Sequence, residues 1–143
     1  MIEFFLPMIP PTVTAQEQKT GVRNGKPFRY DPPEVKAAKT KILDAVARHR
    51  PEEPAAGPVK LVTTWCFPLD DSGRHFDGEP KTSKPDTDNL QKMLKDCMTK
   101  AGFWKDDAQV YMEQIGKFWA RIPGIYIAIR EGGPDGMGQE RET

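Results

Sequence analysis

Pro85-Asp86-Thr87-Asp88-Asn89-Leu90-Gln91-Lys92 is followed, one helix length later, by Gly102-Phe103-Trp104-Lys105-Asp106-Asp107. The two stretches gather carboxylates and a lysine around a segment with the pattern of a short amphipathic helix. Acids this close repel one another unless a cation neutralises them. The expected cation is a divalent metal ion, and the expected target is a phosphate. Mg2+ prefers hard oxygen ligands and keeps waters and substrate phosphate in its shell, so a few aspartates suffice. Such an ion polarises a phosphodiester and makes a bound water acidic near neutral pH. Lys92 stands four residues after Asp88, one helical turn along the same face, where it would stabilise charge building on phosphate oxygens.

Each acid also has a plain structural use. Either Asp86 or Asp88 can cap a helix, and Asp88 with Gln91 resembles a capping box. Asp106 and Asp107 suit a turn between a helix and a strand. In an extended segment Asp86 and Asp88 would point to one side, since they lie two residues apart. Asp106 or Asp107 can rejoin them only if the strand that follows pairs alongside the helix start. Spacing alone does not choose between these two. Lys95 and Thr99 continue the polar face of the helix.

The elements that must position these groups are legible as periodic patterns. Ile2, Phe4 and Leu6 alternate as a first strand, ended by Pro7 to Pro11. Thr12 to Tyr30 has no apolar period and reads as an exposed, mobile basic loop. Asp31-Pro32-Pro33-Glu34 is a helix start, with Asp31 as the cap. Val35, Ala38, Ile42, Ala45 and Val46 then share one face to about His49. After the proline-rich Pro51 to Pro58, Val59 to Phe67 is the strongest strand, with Leu61, Thr63, Trp65 and Phe67 on one side. Pro68 to Lys84 reads as a loop. The key helix is expected from about Asn89 to Ala101, with Leu90, Leu94, Cys97, Met98 and Ala101 buried and Gly102 closing it. Ala108 to Ala120 and Gly124 to Arg130 read as strands, the latter with Ile125, Ile127 and Ile129 together. This order implies an α+β domain, two main helices on a small mixed or antiparallel sheet. The expected domain is 1–130, with a flexible, acidic and glycine-rich tail over 131–143.

Composition narrows the class. A hydrophobic fraction of 37% beside 29% charged residues suits a soluble globular chain. No apolar run reaches the roughly 18 residues of a membrane span, and the first residues lack the pattern of a signal peptide. A cytoplasmic location follows as the expectation. Cys66 and Cys97 are too few for a disulfide framework and read as reduced, buried thiols. His49 and His75 share no ligand spacing with them, so zinc is not expected and a metal would be held by oxygen. Formal net charge is zero, from 21 basic and 21 acidic residues. Removing the four acids and one arginine of Glu131 to Thr143 leaves 20 basic against 17 acidic residues. Lys19, Arg23, Lys26 and Arg29 lie in a stretch without an acid, a local surface that suits phosphate.

With these residues in place, the chain resembles the RusA family of Holliday junction resolvases, endonucleases often carried by phages and prophages. The likeness is densest in Asp86-Thr87-Asp88-Asn89-Leu90-Gln91-Lys92, in Thr99-Lys100-Ala101-Gly102-Phe103-Trp104 and in Asp106-Asp107-Ala108-Gln109-Val110. Weaker likeness covers Pro10-Pro11, the first helix and Lys81 to Lys84. The resemblance implies metal-binding acids at Asp86, Asp88 and Asp107, favouring Asp107 over Asp106, and an essential lysine at Lys92. It further implies a homodimeric α+β nuclease that needs Mg2+ or Mn2+ and cuts a four-way DNA junction by paired symmetric nicks. Two opposed cuts suit a two-fold dimer, and Phe103, Trp104 and Trp119 are candidates for its interface or for the core. Lys19, Arg23, Lys26, Arg29, Arg74, Lys81 and Lys84 are candidates for contacts to the DNA backbone, which position the DNA without reading its sequence. The loop Pro68 to Lys84 is longer than in compact members of the family. The competing reading is a non-catalytic DNA-binding or assembly protein of the same fold, in which the acids only cap and turn.

Overall fold

Val59–Pro68 has the strictest alternation of buried and half-buried residues in the chain. In the computed structural model it lies inside the sheet, paired on both sides. The structure describes residues 1–14 and 19–132. The tail expected to be flexible lies, from residue 133 onward, outside the described residues. The elements in chain order are β1 (Ile2–Leu6), β2 (Lys19–Arg23), β3 (Lys26–Tyr30), α1 (Pro33–Ala47), β4 (Val59–Pro68), α2 (Thr87–Ala101), β5 (Val110–Ala120) and β6 (Gly124–Glu131).

The main sheet has the order β1-β6-β4-β5. β6 pairs antiparallel with both β1 and β4, while β4 pairs parallel with β5. The sheet is therefore mixed. A parallel pair needs a crossover, and α2 provides it between β4 and β5. In register, Leu61 faces Ile129, Thr63 faces Ile127 and Trp65 faces Ile125. These residues build one buried face. Val35, Ile42 and Val46 of α1 close it together with Leu90, Met93, Leu94, Cys97 and Met98 of α2. Lys60, Val62, Thr64, Cys66, Tyr126 and Ala128 fall on the opposite face and stay half-buried.

The structure decides some of the expectations and corrects others. Phe103 and Trp104 are 2% and 1% exposed, so they are core residues and offer nothing to an interface. The Trp104 indole donates to Thr99 Oγ1 at 2.7 Å, which satisfies its one polar atom. Trp119 is half-buried and stacks on His75 at 4.1 Å. Asp31 does not cap α1. Pro32 holds the cap position, and the Asp31 carboxylate reaches forward to Lys39 Nζ at 2.8 Å, a charged partner that a cap amide does not match. Of the stretch expected as a loop from Thr12 to Tyr30, residues 15–18 lie outside the described residues and residues 19–30 form a hairpin, β2–β3, closed by Asn24 and Gly25 at positive φ. Both turn residues sit in the left-handed region that a two-residue hairpin requires. Cys66 is half-buried on the open face, whereas Cys97 is buried as expected.

Candidate active site at the start of helix α2

α2 begins at Thr87, two residues earlier than its apolar stripe suggested, so Asp86 occupies the cap position and Asp88 the first turn. The expected extended Asp86-x-Asp88 pair is thus a cap residue and a helical residue. The Asp86 backbone has the extended geometry of a cap, φ −72° and ψ 148°, yet its carboxylate makes no capping hydrogen bond. Both carboxylates are exposed and have no hydrogen-bond or ion-pair partner among the described residues. They stand at the positive end of the helix dipole, which favours negative charge there. Lys92 is exposed on the next turn.

The rest of the polar face is committed to structure. Lys95 pairs with Glu113 at 2.8 Å. Thr99 Oγ1 donates to the Lys95 carbonyl while accepting from Trp104. Gln91 does not complete a capping box with Asp88. It is 1% exposed, and its Oε1 accepts from Thr63 Oγ1 at 2.8 Å in the core.

Asp106 and Asp107 lie at the other end of α2. Gly102, at φ 97°, ends the helix with its amide bonded to the Met98 and Thr99 carbonyls. Asp106 then caps the short 3-10 turn Asp107–Gln109, accepting from the Ala108 amide at 2.8 Å, and Gln109 closes a capping box. Asp107 is exposed and, with Asp96, Thr99, Lys100, Lys105 and Asp106, lines a shallow pocket beside the last turns of α2. The helix runs antiparallel to β5: the loop before it meets Lys117, while Lys95 further along meets Glu113. Over 15 residues at about 1.5 Å each, the two ends stand roughly 20 Å apart. One chain therefore does not bring Asp107 to Asp86 and Asp88. Among the described residues, no three His, Cys, Asp or Glu side chains converge to hold a metal ion. The donor chemistry itself fits Mg2+ or Mn2+, since Asp86 and Asp88 offer carboxylate oxygens with no other partner.

The candidate DNA contacts divide. Lys19, Arg23, Lys26 and Arg29 are all exposed on the β2–β3 hairpin, and the Arg23 guanidinium lies 5.1 Å from the Phe28 ring centre. Arg74 and Lys84 are exposed on the loop after β4. Lys81 is not a surface lysine: it is 8% exposed, with its ammonium 4.5 Å from the Trp119 ring centre and 5.2 Å from that of Phe67. It donates to Ser83 Oγ and to the Lys84 carbonyl. Burial pushes the Lys81 ammonium below its usual range, and the nearby Lys117 charge adds to the effect. The segment from Gly78 to Lys81 lies along β5, bonded to the backbone of Lys117 and Trp119, and this carries Lys81 inward. Sequence reading missed Lys117, whose Nζ donates to the carbonyls of Ser83 and Pro85. Its only signal was a lysine within an otherwise apolar stretch of strand.

The profile of the family described as Endodeoxyribonuclease RusA matches residues 9–130. The chain is 31% identical over 119 residues to the Bacillus subtilis (strain 168) protein named "Uncharacterized protein YqaN", covering 77% of this chain and 83% of that protein. It is 36% identical over 74 residues to the crossover junction endodeoxyribonuclease of Lactococcus phage r1t, 52% of this chain and 55% of the phage protein. A segment of 38 residues is 61% identical to the crossover junction endodeoxyribonuclease RusA of Escherichia coli (strain K12), 27% of this chain and 32% of that protein. The matches to proteins named as junction nucleases thus span about half and about a third of those proteins. With most of its length inside the family profile and unspent aspartates at the head of α2, the chain belongs to the Endodeoxyribonuclease RusA family.

Proposed function

We propose that the protein is a metal-dependent, structure-selective endonuclease that resolves four-way DNA junctions in recombination and repair, acting as a homodimer in the cytoplasm. What carries this reading is Asp86, a carboxylate in the cap position of a helix that does not cap it. A cap residue that only stabilised its helix would use its oxygen on a first-turn amide. Family membership, and the names of the phage and E. coli relatives, give the substrate class.

In this mechanism Asp86 and Asp88 would hold Mg2+ or Mn2+, and Asp107 would complete the set. The chemistry such an ion would supply is neutralisation of phosphate charge and a water acidic enough to give hydroxide near neutral pH. Lys92, one turn from Asp88, stabilises the charge that builds on the phosphate oxygens. Lys19, Arg23, Lys26 and Arg29 grip phosphates with the hairpin, joined by Arg74 and Lys84. The distance between the ends of α2 supports a site shared between copies, in which Asp107 of a second copy joins Asp86 and Asp88 of the first. Two such sites related by a two-fold axis suit two opposed incisions.

The test is a nicking assay on four-way junction, flap, duplex and RNA–DNA hybrid, with and without Mg2+. Paired nicks confined to the junction and dependent on metal are expected. Asp88→Asn should lose cleavage while still shifting the junction in a gel. Full cleavage by that variant would sink the assignment, and no nicking of any branched substrate by the wild type would favour a DNA-binding protein without catalysis. A mixture of Asp86→Asn and Asp107→Asn proteins should regain single nicks if the site is shared between copies.

A further inference from the structure

The loop leading into Asp86 is held by an arrangement that the proposed chemistry does not itself use. Lys117 Nζ donates to the Ser83 carbonyl at 2.7 Å and to the Pro85 carbonyl at 2.6 Å. Lys81 Nζ donates to the intervening Lys84 carbonyl at 2.8 Å and to Ser83 Oγ at 2.6 Å. Three successive carbonyls thus turn towards two ammonium groups. The backbone adds a further tie, from the Lys81 amide to the Lys117 carbonyl at 3.0 Å. The next residue along the chain is Asp86.

Lysines withdrawn from water are ordinarily matched by a carboxylate. Neither Lys81 nor Lys117 has such a partner among the described residues. Carbonyl dipoles take that place, helped at Lys81 by the faces of Trp119 and Phe67. Two like charges held side by side need a stronger reason than packing. The two lysines differ in setting: Lys81 is buried, whereas Lys117 projects from the middle of β5 and remains part-exposed. Lys117 therefore joins a hydrogen-bonded strand to the end of a loop. A carboxylate on a loop needs such support, because a ligand-binding group must be held to within about 0.5 Å of its working position.

We propose that Lys117 is a positioning residue: by donating to the Ser83 and Pro85 carbonyls it fixes the peptide entering Asp86, and so sets where the Asp86 carboxylate meets its ligand. The inference rests on reading Asp86 as part of a metal-dependent nuclease site. Lys117 acts through the backbone and not by touching DNA. Methionine at this position would keep the length of the side chain and remove its donors. Arginine would keep both the charge and more than one donor.

The experiment compares wild type, Lys117→Met and Lys117→Arg in single-turnover cleavage of a four-way junction across a Mg2+ series. Junction affinity in Ca2+, thermal midpoint and Mn2+ binding to the DNA-free protein, by calorimetric titration, are measured alongside. For Lys117→Met the cleavage rate at saturating Mg2+ should fall by about 10- to 100-fold, the usual consequence of losing support behind a ligand. Its half-saturating Mg2+ should rise, its Mn2+ binding should weaken in parallel, and its junction affinity should stay unchanged. Lys117→Arg should recover most of the loss. A Lys117→Met protein with a lowered midpoint but unaltered Mg2+ and Mn2+ requirements would overturn the inference, as would a loss confined to junction affinity. If Lys117→Met does not fold, Lys117→Gln takes its place under the same expectations. Equal behaviour of variant and wild type refutes the role of Lys117 while leaving the nuclease reading intact. Failure of the wild type to cleave any branched DNA removes that reading, and this inference with it.

Discussion

Asp86 and Asp106 occupy the same place in two helical turns and do different things. Each is the cap residue, each has an extended backbone, and each is exposed. Asp106 spends its carboxylate on the Ala108 amide, and Gln109 returns the favour to the Asp106 backbone. Asp86 makes no side-chain bond to any of the described residues. The backbone before Asp86 is held from behind by Lys117. An acid relieved of its structural duty is available for a ligand. That difference, more than the clustering of acids, supports the site proposed at the head of α2.

The comparison can be broken by substitution. The largest expected effect is on cleavage: Asp86→Asn should slow junction nicking by roughly 10²- to 10³-fold, since it removes a charged ligand from the reacting phosphate's surroundings. Asp106→Asn, measured in the same assay, should change the rate little. Next comes stability at the far end of the helix. Trp104→Ala should cost about 3–5 kcal/mol in urea unfolding, through the cavity it opens and the hydrogen bond it strips from Thr99. Smaller still, Asp106→Ala should cost about 1 kcal/mol, the usual worth of a cap. Asp86→Ala should fall within about 0.5 kcal/mol of wild type. Equal losses for the two aspartates would erase the distinction drawn here.

The subtlest effect concerns pH. Burial pushes the Cys97 thiol up to about 11 from an ordinary 9.0, with Lys100 opposing. The folded protein holds this proton more tightly than the unfolded chain. The resulting stabilisation is therefore complete below about pH 9 and is lost as pH rises through 11. The urea midpoint should decline over that window, and less steeply in Cys97→Ala.

Much of the fold was written in periodicity. The alternation of Val59 to Phe67 and of Ile125, Ile127 and Ile129 specified the buried face, because a one-residue slip would turn every one of these side chains outward. The stripe on α2 and the stop at Gly102 were equally plain. Asp86, Asp88 and Lys92 stood out by type and spacing, and only the family resemblance chose Asp107 over Asp106; the distance between the two groups was not legible, since it depends on the antiparallel lie of α2 against β5. The β2–β3 hairpin escaped notice because its strands bury little: only Gly21 and Phe28 are even half-covered, so no alternation appears. Lys81 was misplaced for the opposite reason. A lysine in sequence reads as surface, and only the path of the loop over Trp119 and Phe67 draws it in.

The hairpin carries a consequence of its own. Its strands pair with each other and with no strand of the main sheet. Two strands alone are barely stable in water. The amides of Lys19 to Tyr30 should therefore trade their hydrogens for deuterium far sooner than those of β4, through openings too small to disturb the core. Any partner that grips the arm must first still it. A slowing of that exchange on adding DNA would be the earliest sign that the arm has found its substrate, before any strand is cut.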